Sequence, residues 1–172
     1  MKSHLEKVLT FATSAHEGQI RRGSKMPYIV HPMDVAKKVE KYFGSDEVLM
    51  ASAFLHDTIE DCDISHSDIS KEFGDTVADI VEELTSDEDE VKRLSKNTYL
   101  ISKMSEMSKG AFEVKLCDRL SNISDKPREK YVRNTLEMMT QLQQNREIST
   151  KQEIVMLEIR IVCLQFLRRL EA

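Results

Sequence analysis

Nowhere in these 172 residues does a run of strand length alternate β-branched and polar side chains, so a sheet has little to build from. The chain offers helix formers instead. Leu, Glu, Lys, Met and Ala are common, while Gly (5) and Pro (3) are scarce and Trp is absent. The expected fold class is therefore all-α: a compact helical bundle in a single domain over 1–172, long enough to bury a proper core. No internal repeat, low-complexity segment or linker interrupts it.

Helix punctuation divides the chain. A first helix is expected over 3–17, stopped by Gly18. A basic loop follows, with Arg21, Arg22, Gly23, Lys25 and Pro27. Pro32 suits the first turn of a helix that Gly44 ends. Ser45 is a candidate cap for a continuous helix over 46–61. Ser65 opens a short helix closed by Gly74, and 75–85 reads as the next. The acidic run 86–90 reads as a solvated loop, followed by a charged helix over 89–107. Gly110 marks a break before a largely apolar helix over 111–124. Pro127 starts the next, to about 145, and 151–170 closes the bundle. In that last helix Ile154, Leu157, Ile161 and Leu164 share a face, expected to pack on the chain's own core rather than on a second copy.

Bulk properties narrow the function classes. The net charge of -5 argues against binding a nucleic acid polymer, which needs a basic surface. It leaves room for a small phosphorylated ligand met by a few local cations. No apolar stretch approaches a membrane span, and the N-terminus has no signal core, so a cytoplasmic location is the expectation. The three cysteines, Cys62, Cys117 and Cys163, form no C-x-x-C pair and read as buried or incidental thiols. The nine methionines read as core filling.

The chemistry concentrates in Phe54-Leu55-His56-Asp57-Thr58-Ile59-Glu60-Asp61. An apolar helix ends by presenting one imidazole and three carboxylates within six residues. On a continuous helix His56 lies beside Glu60, and Asp57 beside Asp61. Carboxylates at a helix C-terminus oppose its dipole and need a counter-charge, which a cation supplies. A solvated terminal turn is the alternative. His31, in Tyr28-Ile29-Val30-His31-Pro32, reads alone as a hydrogen-bonding residue. Asp118 interrupts an apolar helix, and a buried carboxylate is costly unless paired or bound to metal. Arg119 is its candidate partner, although sequence neighbours on a helix point apart. Two imidazoles and two carboxylates suit Mn²⁺, Fe²⁺ or Zn²⁺. Such an ion lowers the pKa of a bound water, and Glu60 or Asp61 can take the proton.

These segments resemble the HD-domain phosphohydrolase superfamily, whose H…HD…D pattern falls on His31, His56-Asp57 and Asp118. More narrowly, they are similar to the hydrolase domain of RelA/SpoT-type enzymes and their small stand-alone relatives. The residues that carry the likeness are Ala15-His16-Glu17-Gly18-Gln19-Ile20-Arg21-Arg22, Pro27-Tyr28-Ile29-Val30-His31-Pro32, the 54–61 segment, Phe73-Gly74 and Val114-Lys115-Leu116-Cys117-Asp118-Arg119-Leu120-Ser121-Asn122. The likeness is strongest over 5–136, with the helices of 127–170 completing the bundle. It implies a Mn²⁺-dependent 3′-pyrophosphohydrolase of guanosine 3′,5′-bis(diphosphate) in a hydrolase-only form. It implies metal ligands His31, His56, Asp57 and Asp118, with Glu60 and Asp61 as the catalytic acids. Arg21, Arg22 and Asn122 would meet the nucleotide, with Lys25 and Lys96 as further phosphate-binding candidates. A second copy of the chain is a candidate partner. The same chemistry on a nucleoside monophosphate or NADPH, or a nucleotide-binding module without turnover, are the competing readings.

Overall fold

The computed structural model describes residues 3–171, and these form helices with one isolated antiparallel bridge, Ile20 to Pro27. The all-α expectation holds. None of the helices is long and apolar enough to cross a membrane.

The residues group into two units. The first, residues 3–86 and 108–114, holds α1 (His4–Ala15), α2 (Val30–Phe43), α3 (Glu47–Leu55), α4 (Thr58–Asp61), α5 (His66–Phe73), α6 (Asp75–Leu84) and the beginning of α9 (Lys109–Ser124). Its core gathers Val8, Ala12, Ala51, Leu55, Ile69, Val77, Ala78 and Val81, with Phe11, Phe54 and Phe73 packed against them. Helix α3 lies against α1, α2 and α6. It is apolar on every side, as a helix packed that way must be. Helices α1 and α5 begin with capping boxes, Ser3 with Glu6 and Ser65 with Asp68.

The second unit, residues 87–107 and 115–171, holds α7 (Glu88–Leu94), α8 (Lys96–Glu106), the rest of α9, α10 (Glu129–Asn145) and α11 (Thr150–Leu170). Helix α10 packs on α8 and α11. Met138, Met139 and Met156 are fully buried there, as the core-filling reading expects, whereas Met26, on the basic loop of the first unit, is 53% exposed and fills no core.

Several boundaries differ from the sequence reading. The cap before α3 is Asp46, whose carboxylate accepts from Leu49 N–H, and not Ser45. The acidic run is no simple loop: Asp87 caps α7, and Glu88, Asp89 and Glu90 fill its first turn, where the dipole favours them. The expected helix over 89–107 is two, split at Ser95, whose φ of 76° no helix tolerates. Lys92 and Lys96 therefore do not share a helix face. Gly110 breaks nothing. It sits inside α9, where a Cβ would come to 3.0 Å from Ile80 Cδ1 and 3.2 Å from Leu49 Cδ2. The glycine is there for close packing.

The last helix corrects the chosen face. Val155, Met156, Ile159 and Cys163 are its buried side, whereas Ile154, Leu157, Ile161 and Leu164 stay 44–57% exposed. Two apolar stripes run along α11, and the one selected from the sequence is the outer one.

Candidate metal and catalytic site

The helix expected over 46–61 stops at Leu55 and restarts at Thr58. Asp57 at the joint has φ −106° and ψ 0°, the sparsely populated bridge region that often holds active-site residues. Thr58 Oγ1 donates to the Leu55 carbonyl at 2.7 Å and helps fix the turn. Glu60 and Asp61 thus occupy the first turn of α4 and not the C-terminus of a long helix. The dipole argument for a counter-ion from that end does not apply.

Other geometry takes its place. His56 is 1% exposed, and its Nδ1 lies 2.8 Å from the Ala53 carbonyl. A carbonyl only accepts, so Nδ1 carries a proton, and in the neutral ring Nε2 presents its lone pair. That Nε2 lies 2.9 Å from Asp57 Oδ2. His31, the second residue of α2 and 4% exposed, brings its Nε2 to 3.7 Å from the same oxygen. The two imidazole centroids are 5.1 Å apart. Tyr28 donates its hydroxyl proton to Asp57 Oδ2 at 2.6 Å, and its ring sits edge-on to His31.

Asp118 lies on α9 and is 7% exposed. Its partner is Lys115, one turn back, at 3.2 Å from Oδ2. Asn122 Nδ2 donates to Oδ1 at 2.5 Å. Arg119, the partner weighed from the sequence, instead lays its guanidinium over the Tyr131 ring at 4.8 Å. His31, His56 and Asp118 each offer one atom that could ligate a metal ion. This nitrogen–oxygen set has the chemistry a divalent transition ion requires.

The acidic pair is divided by its surroundings. Glu60 Oε2 accepts from Ser86 N–H at 2.9 Å. Asp61 is held above the usual carboxylate range, first by burial of part of its surface and then by the negative charges of Asp57 and Glu60.

The basic loop is closed by Arg21 N–H to the Met26 carbonyl and Tyr28 N–H to the Gln19 carbonyl, both at 2.9 Å. Arg21 places its guanidinium 5.9 Å from the Tyr28 ring centroid, while Arg22 and Lys25 are exposed on the loop. Lys96 is exposed in the first turn of α8. Sequence reasoning passed over Tyr28, Lys115 and the residues around His16. Tyr28 stood in the quoted motif three residues before His31, and Lys115 one turn before Asp118. Spacing was the available signal in both cases.

A profile of the HD domain matches residues 9–148. The chain belongs to the HD domain family. Among curated proteins it is similar to human MESH1, a guanosine-3′,5′-bis(diphosphate) 3′-pyrophosphohydrolase, at 34% identity over 125 residues, covering 72% of this chain and 69% of that one. It is also 31% identical over 147 residues to the guanosine-3′,5′-bis(diphosphate) 3′-pyrophosphohydrolase of Aquifex aeolicus, covering 80% of this chain but 21% of that longer protein. The fold matches the solved structure of a metazoan ortholog of SpoT with a TM-score of 0.80 at 23% identity, over 96% of this chain and 97% of that one. Membership in this family carries divalent-metal dependence with it.

Proposed function

We propose that the chain is a metal-dependent phosphohydrolase that removes pyrophosphate from the 3′ position of guanosine 3′,5′-bis(diphosphate). The observation that carries the reading is the meeting of His56 Nε2 and Asp57 Oδ2 at 2.9 Å. With Nδ1 committed to Ala53, both atoms offer lone pairs to the same place, and a cation resolves the conflict. His31, His56, Asp57 and Asp118 would hold that ion, with Mn²⁺ the first choice and Fe²⁺ or Zn²⁺ the others. When bound it supplies Lewis acidity, easing ionisation of a water and offsetting charge on the phosphate.

The chain's own residues do the rest. Ala53 holds the His56 ring, and Tyr28, Lys115 and Asn122 hold the two aspartates. Asn122 thus serves Asp118, whatever it adds at the nucleotide. Asp61 is the better proton acceptor of the acidic pair. Its raised pKa makes it the stronger base, and Glu60 is tied to the Ser86 amide. Arg21 and Arg22 would meet the pyrophosphate, since a guanidinium fork suits its oxygens. Water adds to phosphorus, the bond to the ribose 3′ oxygen breaks, and GDP and pyrophosphate leave.

The relatives' names supply the guanosine substrate, and the charge on the basic loop is compatible with it. The test is purified protein with Mn²⁺ and guanosine tetraphosphate, followed by anion-exchange chromatography. GDP and pyrophosphate should appear, and Asp57→Ala should abolish both. Phosphate released only from nucleoside monophosphates or NADPH would move the assignment to another nucleotide. Full turnover by the Asp57 variant would remove the metal chemistry altogether.

A further inference from the structure

Beside the metal ligands lies a second cluster, built on one buried histidine, that the mechanism above does not use. His16 ends α1 and is 3% exposed. Its Nδ1 lies 2.9 Å from Gln19 Oε1 and 3.3 Å from Cys62 Sγ. The other end of Gln19 donates from Nε2 to the backbone carbonyl of Asp61 at 2.9 Å and reaches Cys62 Sγ at 3.7 Å.

The polarity of this chain of contacts is fixed from one end. The Asp61 carbonyl only accepts, so Gln19 turns its amide nitrogen towards Asp61 and its oxygen towards His16. That oxygen also only accepts, so the His16 proton resides on Nδ1. On the far side of the ring Nε2 is buried and has no hydrogen-bond partner among the described residues, so nothing there draws the proton away. A buried, unsatisfied ring nitrogen lowers stability, and its retention calls for a reason.

The reason lies at the receiving end. Helix α4 has four residues, too few for its last carbonyls to find partners inside it. Gln19 supplies one to Asp61. Cys62 offers no competing chemistry: burial, then the charges of Asp61 and Asp57, push its thiol up, so it stays protonated at neutral pH.

We infer that His16 and Gln19 are a positioning pair for Asp61, the imidazole orienting the Gln19 amide and the amide fixing the carbonyl end of α4. The inference rests on Asp61 being the proton acceptor. Neither side chain is asked to touch the substrate, and both act through the residue they hold.

Two readouts test it. In the metal-free protein, long-range ¹H–¹⁵N spectra of the imidazoles should show His16 as the Nδ1–H tautomer, and Gln19→Leu should lose that preference. An Nε2–H tautomer in the wild type overturns the inference. In turnover, His16→Phe and Gln19→Leu should each lower kcat by about tenfold or more with KM unchanged, and the double variant should be no slower than the slower single one. His16→Asn, which keeps a donor near the Nδ1 position, should recover most of the rate, whereas His16→Gln should not. Rescue by His16→Gln alone, or a lowered Tm with unchanged kcat, overturns the pair's role. A wild type that releases no pyrophosphate from guanosine tetraphosphate fails the functional reading instead, and the tautomer measurement still decides the relay. Should His16→Phe fail to fold, the wild-type spectra and His16→Asn carry the decision.

Discussion

Tyr28→Phe removes one oxygen and leaves everything else in place. The ring still packs between His16, at 4.8 Å between centroids, and His31, at 5.8 Å. What disappears is the 2.6 Å hydrogen bond into Asp57 Oδ2, the oxygen that also faces both imidazoles. A hydrogen bond to a charged group contributes about 1.5–3 kcal/mol. Without it the Asp57 carboxylate is less stabilised, holds a proton more readily, and is freer to turn away from an ion. At 1.4 kcal/mol per decade, Mn²⁺ affinity should fall between about tenfold and a hundredfold, the range seen when partners of metal ligands are removed. Calorimetric titration of the metal-free protein with Mn²⁺ at neutral pH reads this directly, with circular dichroism as the control for folding. A dissociation constant unchanged within about twofold would refute the claim that Asp57 binds the metal through a hydroxyl-supported carboxylate.

Asp61 should titrate above the ordinary carboxylate range in carboxyl NMR of the metal-free protein, and Asp57→Asn should bring it down by removing one of the charges that raise it. The sign for folding follows: a carboxyl raised in the folded state adds stability below its unfolded value, and that contribution fades as pH rises through the raised one. Ile159→Ala, at 0% exposure, should cost about 2–5 kcal/mol in urea unfolding, while Leu157→Ala, at 57% on the outer stripe, should stay within about 0.5 kcal/mol; equal losses would reverse the assigned faces. Cys163, buried and pushed up to about 11, should resist alkylation at pH 8 until the protein unfolds, with half-buried Cys62 labelled first in a mass-spectrometric time course.

Much of the helix plan was legible because caps are local chemistry. Ser65 with Asp68, and Gly74 after Phe73, announce α5 in the sequence and enclose it in the structure. The breaks at His56–Asp57 and Ser95 were not legible. Neither carries Gly or Pro, and the conformations there are set by surrounding structure that no local pattern reports. Gly110 misled in the opposite direction, because a glycine needed for close approach looks the same in a sequence as one needed for a turn. On α11 both stripes are apolar, so periodicity gave two answers, and only burial separates them. The candidate ligands were readable as residue types at odd places: a carboxylate inside an apolar helix and an imidazole beside a proline. Their supporting partners were not. Tyr28 and Lys115 are ordinary residues whose importance lies in which atom they reach.

The joint between α3 and α4 also changes how the acidic pair is aimed. In one unbroken helix each residue advances the phase by about 100°, so the bearing of Glu60 and Asp61 would be inherited from the packing of the whole rod. Here two residues reset the phase, and the torsions of Asp57 act as a set-screw between the apolar helix that anchors His56 and the short one that carries the acids. Core substitutions in α3 can therefore drift without swinging the acids, while a single residue added or lost between Asp57 and Glu60 would rotate them off target and leave the fold standing.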